Sequence, residues 1–120
     1  MAKKKILIID DDPEVLSSLS NTLESGKFHV VTALNSENGY KKFEAEKPCL
    51  VIYNIMAEQI TRSIDVVKRM RKKNMDVKIY FFGNMNFFTA NNLNECTSGV
   101  NGILGKPINP DELLEIVKSI

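Results

Sequence analysis

Five short apolar runs, each ending at a polar residue or a glycine and each followed by a segment of helical character, constrain this chain more than any other feature. The runs are Lys5–Ile9, His29–Ala33, Leu50–Tyr53, Ile79–Phe82 and Gly102–Leu104. Runs of this length have the size of buried strands, and helices between successive strands are the crossovers that parallel pairing requires. The pattern therefore predicts an α/β fold with a five-stranded parallel sheet covered on both faces.

The intervening segments carry helix grammar. Asp12-Pro13-Glu14 reads as an N-cap, a proline at the first helical position and an acid in the first turn. Val15, Leu16, Leu19 and Leu23 then recur at helical spacing, and Gly26 is expected to end the helix. Ser36 is expected to cap a second helix that carries Tyr40 and Phe43 and stops at Pro48. A loop through Met56–Gln59 leads to a third, with Ile64, Val67 and Met70 facing inward. Between Asn84 and Thr97 the asparagines at 84, 86, 91, 92 and 94 make any helix marginal. Asn109-Pro110-Asp111-Glu112 repeats the capping pattern ahead of Leu113, Leu114, Ile116 and Val117. No internal repeat, low-complexity tract or linker interrupts the series, so residues 1–120 read as one domain.

Charge and composition exclude several classes. Sixteen basic and fifteen acidic residues leave a net charge of +1, so no global field favours nucleic acid or an anionic membrane. The apolar runs fall far short of the roughly 20 residues needed to span a bilayer. Ile6–Ile9 is cut off by aspartates too early to serve as a signal peptide, which points to the cytoplasm. Cys49 and Cys96 lack metal-ligand spacing and read as two small, mostly buried thiols. The basic cluster Lys68–Lys73 ends a helix, where cations meet the negative dipole pole and stay solvated. His29, the single histidine, begins an edge strand with no second ligand nearby.

The polar residues at the strand ends carry the functional argument. Asp10 and Asp11 follow the first run, Asn54 the third, Gly83 the fourth, and Lys106 stands just past the fifth. In a parallel sheet these carboxyl ends share one edge, where doubly wound sheets bind their ligands. Two carboxylates, a carboxamide and a lysine are thus expected in one shallow pocket.

Along its whole length the chain resembles the receiver domain of two-component response regulators. Ile6-Leu-Ile-Ile-Asp-Asp-Asp-Pro13 matches the first strand and acidic pair, Leu50-Val-Ile-Tyr-Asn-Ile-Met56 the third strand, and Gly105-Lys-Pro-Ile-Asn-Pro-Asp-Glu-Leu113 the end. The resemblance implies a flavodoxin-like sheet of order 2-1-3-4-5, with Asp10 and Asp11 as the acidic pocket and Lys106 facing the phosphate. It also implies a cis Lys106–Pro107 bond. Weak Mg²⁺ binding would use Asp11, Asn54 and the Met56 carbonyl.

Four departures qualify that implication. Asn54 stands where receivers have the phosphoacceptor aspartate, and a neutral carboxamide is a poor nucleophile. Gly83 replaces the switch hydroxyl and Ile103 the switch ring. Glu58–Ser63 replaces a loop of Pro-Gly character. One substitution would explain Asn54 but not the other three. The expected function is a phosphorylation-independent regulatory module, not an enzyme, that binds a histidine kinase or an output protein. Met85–Cys96 and Pro110–Ile120 form the expected partner face, with room for a homodimer; Phe87 or Phe88 would make an apolar patch there. Two rivals remain open: a conventional phosphoacceptor using Asp10 or Asp11, and a metal or anion sensor.

Overall fold

A computed structural model of the chain describes residues 4–24, 28–55, 60–83, 99–105 and 109–120. Gly26, Met56, residues 84–98 and Lys106–Pro107 lie outside the described residues. So do the readings placed on them: the helix stop, the marginal helix with Met85, Phe87 and Phe88, the Cys96 thiol and the cis bond.

Five strands form one sheet: β1 (Lys4–Ile9), β2 (Phe28–Ala33), β3 (Leu50–Asn54), β4 (Lys78–Gly83) and β5 (Gly102–Gly105). Their order is β2-β1-β3-β4-β5, and every pairing is parallel. Ile6 stands beside Val30 on one side and Leu50 on the other, and Tyr53 stands beside Phe81. Four described helices cover the sheet: α1 (Pro13–Leu23), α2 (Ser36–Glu46), α3 (Ile60–Lys73) and α4 (Pro110–Lys118).

The period-2 alternation of strand side chains divides the core in two. Leu7, Ile9, Val51, Tyr53, Ile79 and Phe81 pack with Tyr40 and Phe43 of α2 and with Val66, Val67 and Met70 of α3. Ile6, Ile8, Leu50, Ile52, Phe82 and Leu104 pack with Leu16, Leu19 and Leu23 of α1 and with Leu113 and Val117 of α4. Phe81 and Phe82 are fully buried on opposite faces of one strand. Each such side chain contributes about 1.5–3 kcal/mol from removal of apolar surface from water. A strand buried on both sides cannot carry a polar residue until it leaves the sheet, which is why the polar residues gather at its ends.

The caps show where sequence grammar holds and where it slips. Asp12 caps α1, its side chain accepting from Glu14 N at 2.9 Å, and Asn109 caps α4 by accepting from Asp111 N at 2.8 Å. The cap of α2 is Asn35, not Ser36: Asn35 Oδ1 accepts from Asn38 N at 2.8 Å. Ser36 is instead buried in the first turn, where its hydroxyl is hydrogen-bonded to the Tyr53 hydroxyl. Lys47 ends α2 with φ 50°, the left-handed position where glycine is usual. In α3, Ile64 is only half-buried and Ser63 and Val66 are buried, so the inward stripe is rotated relative to the expected one. Because α3 begins at Ile60, part of the Glu58–Ser63 stretch is helix rather than loop.

Gly39 lets α2 settle on β1. A methyl group there would lie 2.5 Å from Ile9 Cδ1 and 2.8 Å from Ile9 Cγ1.

Candidate functional site

Parallel strands bring their carboxyl ends to one edge, and register fixes which ends are neighbours. Asp10 leaves β1 with its N–H donating to Ala33 O at 3.0 Å, and Ile55 leaves β3 donating to Phe82 O at 2.9 Å. Asn54 pairs with Phe82, and Gly83 with Gly105, the residue before Lys106. By alternation the side chains of Asp10 and Asn54 fall on the same face as Ile6, Ile8, Leu50 and Ile52.

They meet there. Asn54 Nδ2 donates to Asp10 Oδ1 at 3.1 Å, and the same oxygen accepts from Asp12 N at 3.0 Å. Both side chains are buried, Asp10 being 2% and Asn54 8% exposed. The orientation of the carboxamide follows from this contact, since the opposite flip would set its oxygen against a carboxylate. Asn54 Oδ1 in turn is buried and takes no hydrogen bond from the described residues. Asp11 is exposed, beside the pair and not inside it. Lys106 and Met56 lie outside the described residues. Among those residues no group of three His, Cys, Asp or Glu side chains could hold a metal ion.

Gly83 is buried at the end of β4. Ile103 is half-buried and packs on the α2–α3 side of the sheet, the face opposite to Asp10 and Asn54. His29 is exposed on the edge strand β2. Cys49 is half-buried with its thiol against Lys5 O at 3.4 Å, and burial raises its pKa above the ordinary thiol value.

The basic cluster on α3 is not uniformly solvated. Arg69 lies over the Tyr40 ring, 4.0 Å from its centroid, and Lys73 pairs with Glu44 at 3.5 Å. Arg71 does most. Its Nε donates to Gly99 O at 2.8 Å, Nη1 to Met75 O at 3.2 Å and to Val77 O, and Nη2 to Asn101 Oδ1 at 2.9 Å. Partial burial lowers its pKa from the ordinary value. Sequence reasoning missed this residue because a run of Lys and Arg looks the same whether one member faces water or carbonyl groups. The one available signal was chemical: only arginine offers five donors in a rigid fork.

Comparison with known proteins agrees with this fold. Residues 6–118 match the family model described as the response regulator receiver domain. The response regulator Rre1 of Synechocystis is 30% identical over 120 residues, covering 96% of this chain and 50% of that protein. The transcriptional regulatory protein PhoP for alkaline phosphatase synthesis in Bacillus subtilis is 35% identical over 72 residues, covering 60% of this chain and 30% of that protein. The chain thus spans half or less of the length of these relatives. Among solved structures, the response regulator TrrA of Thermotoga maritima, in complex with Mg²⁺-BeF, has a TM-score of 0.81 at 30% identity, covering 97% of each chain. The chemotaxis protein CheY4 of Vibrio cholerae has a TM-score of 0.81 at 21% identity over 99% of each chain, a likeness of fold alone. The chain belongs to the response regulator receiver domain family.

Proposed function

We propose that this receiver is a regulatory module that works by protein contact, without accepting a phosphoryl group at position 54 and without catalysis of its own. The observation that carries this reading is the 3.1 Å hydrogen bond from Asn54 Nδ2 to Asp10 Oδ1. A carboxylate at position 54 could not make it. Two buried anions at that separation need a cation between them, whereas a carboxamide supplies a donor to Asp10 Oδ1 in its place.

Magnesium is the ion that membership of the family brings to mind, and it was bound with BeF in the Thermotoga protein. This donor set does not fit a bridging magnesium ion. Asp10 Oδ1 already receives two N–H donors, and the Asn54 amide hydrogen faces the place where a cation would join the two side chains. Turning the amide over would offer its oxygen but would break a hydrogen bond to a buried charge, worth about 1.5–3 kcal/mol. Mg²⁺ binding through Asp11, Asn54 and the Met56 carbonyl would be weak, because a neutral carboxamide oxygen takes the place of a charged carboxylate.

Receiver domains of response regulators carry signals between proteins, so the partner is a histidine kinase or an output protein in the cytoplasm. Its docking face includes the exposed side of Pro110–Ile120, where Asp111, Glu112 and Glu115 present acid to solvent. No helix among the described residues is long and apolar enough to cross a membrane.

The test is intact-mass analysis after incubation of the native chain with Mg²⁺ and a small phosphodonor. No phosphoryl adduct is expected. A stoichiometric adduct would overturn the proposal, and mapping it to Asp10 or Asp11 would establish the conventional reaction on another carboxylate. Titration calorimetry with Mg²⁺ and with inorganic phosphate addresses the sensor reading, which requires saturable binding of either ion.

A further inference from the structure

The strand ends opposite the Asp10–Asn54 edge are tied by a second polar arrangement. Arg71, in the last turn of α3, uses all three of its nitrogens. Two acceptors, Met75 O and Val77 O, belong to the segment leading into β4; two others, Gly99 O and Asn101 Oδ1, belong to the segment leading into β5. Asn101 Oδ1 also accepts from Ile79 N of β4 at 2.8 Å, and Asn101 N donates to Ile79 O at 2.7 Å. One carboxamide oxygen is therefore shared between the guanidinium and the β4 backbone. The arrangement joins the end of α3 and the start of β4 to the start of β5, about thirty residues further along the chain.

β5 needs such a tie. It is four residues long, it lies at the edge of the sheet, and two of its residues are glycines. Gly102 sits against Tyr80, where a methyl group would come within 2.9 Å of Cε1. The strand has little apolar surface of its own; Leu104 is its one buried side chain, with Ile103 half-buried. Beyond the packing of these two side chains, its hold on β4 rests on backbone pairing and on the Arg71–Asn101 contact.

We propose that Arg71 is a latch on β5: with its fork engaged, β5 and Ile103 stay docked in one position on β4, and releasing it lets β5 open while the rest of the sheet stays folded. This deepens the contact-only reading given above and rests on it, because a β5 held by a fixed guanidinium takes no instruction from position 54. An ammonium group cannot replace the fork, since its three donors diverge from a single atom and cannot reach four acceptors spread over two segments.

Amide exchange at several low urea concentrations tests the latch, comparing the native chain with Arg71→Lys. The reporters are the amides of Asn101 and of Ile103, the next in line in a parallel ladder. The controls are Ile8 and Ile52 in the interior strands β1 and β3. Loss of one charge-assisted hydrogen bond should speed reporter exchange by about tenfold to a hundredfold. A local opening exposes little surface, so that exchange should be nearly independent of urea, whereas exchange of Ile8 and Ile52 rises with urea. Asn101→Ala should reproduce the effect, with a fold less at risk than in variants at Arg71. Asn101→Asp keeps the shared acceptor and should leave exchange slow. Unchanged reporter exchange, or a urea dependence equal to that of Ile8 and Ile52, would overturn the latch. The phosphodonor experiment concerns only position 54 and does not involve Arg71, so either idea can fail without the other.

Discussion

Asn54→Asp is the substitution that puts most weight on the geometry of the pocket. It replaces a donor with an anion beside a carboxylate that is 2% exposed, and the atoms in question are 3.1 Å apart. Two unit charges at that distance repel by about 5 kcal/mol at an effective dielectric constant of about 20, and still by about 3 kcal/mol after the side chains part to about 5 Å. The hydrogen bond to the buried charge is lost as well, so a net destabilisation of about 3–5 kcal/mol is expected in the presence of a chelator. A chain of 120 residues has a total stability of about 5–15 kcal/mol, so the variant should remain folded but weakened. With an unfolding entropy of about 2.1 cal/mol/K per residue, that loss corresponds to a fall in Tm of about 12–20 °C. Mg²⁺ should restore much of it, because a ligand at a hundred times its Kd adds about 2.7 kcal/mol. Lowering the pH should also narrow the gap between variant and native, since protonating either carboxyl group removes the like-charge contact. The assay is thermal unfolding by circular dichroism, native against variant, in chelator and in Mg²⁺. Equal Tm values in chelator, or an equal rise of both proteins with Mg²⁺, would refute the argument that the carboxamide completes this pocket.

Three further outcomes are expected. Gly39→Ala should cost about 1–2 kcal/mol in urea unfolding, because crowding against Ile9 outweighs the gain of about 1 kcal/mol in helix propensity; the cost should shrink in the Ile9→Val background, which removes the nearest atom. Lys47→Gly should stabilise the domain by about 0.5–1 kcal/mol, measured the same way, by relieving a side chain from φ 50° at an exposed helix end. Phosphorylated Asn54→Asp should show amide chemical shifts across residues 99–105 and 109–120 close to those of its unphosphorylated form, since Gly83 and Ile103 lack the hydroxyl and ring for contacts specific to that state.

The interior strands were legible because a segment buried on both faces has few polar positions, and all five runs fell within a residue of the strands they predict. The polar residues at their ends were legible for the same reason. Helix caps were less so. Asn35 and Ser36 are both good caps by type, and what separates them is Tyr53, seventeen residues downstream, whose buried hydroxyl takes Ser36 for itself. Local grammar cannot see a partner on another strand. The third helix shows the same limit: Ile64 and Val67 fit an inward stripe, but α3 turns Ser63, Val66 and Met70 inward with Val67 and leaves Ile64 half-buried. Arg71 was invisible because three of its four acceptors are backbone carbonyls, which every residue carries and no sequence marks.

Taken together, the contact between Asn54 and Asp10 and the tie at Arg71 bear on what kind of signal such a domain can carry. A ligand or modification shifts a conformational equilibrium only by its differential affinity for the two states. In this chain the carboxylate that would feel an arriving cation already holds two N–H donors. The short edge strand that would move is held at its base by a guanidinium and a shared carboxamide. On the contact-only reading, neither end of the sheet leaves a second state close in energy to the first. A face with one populated state binds its partner with one affinity, so its occupancy follows the concentrations of the two proteins. Control must then act on abundance, or on competition with other receivers for the same partner. A protein of this design would be informative through its presence, and its regulation would be sought in its expression rather than in the chemistry of its pocket.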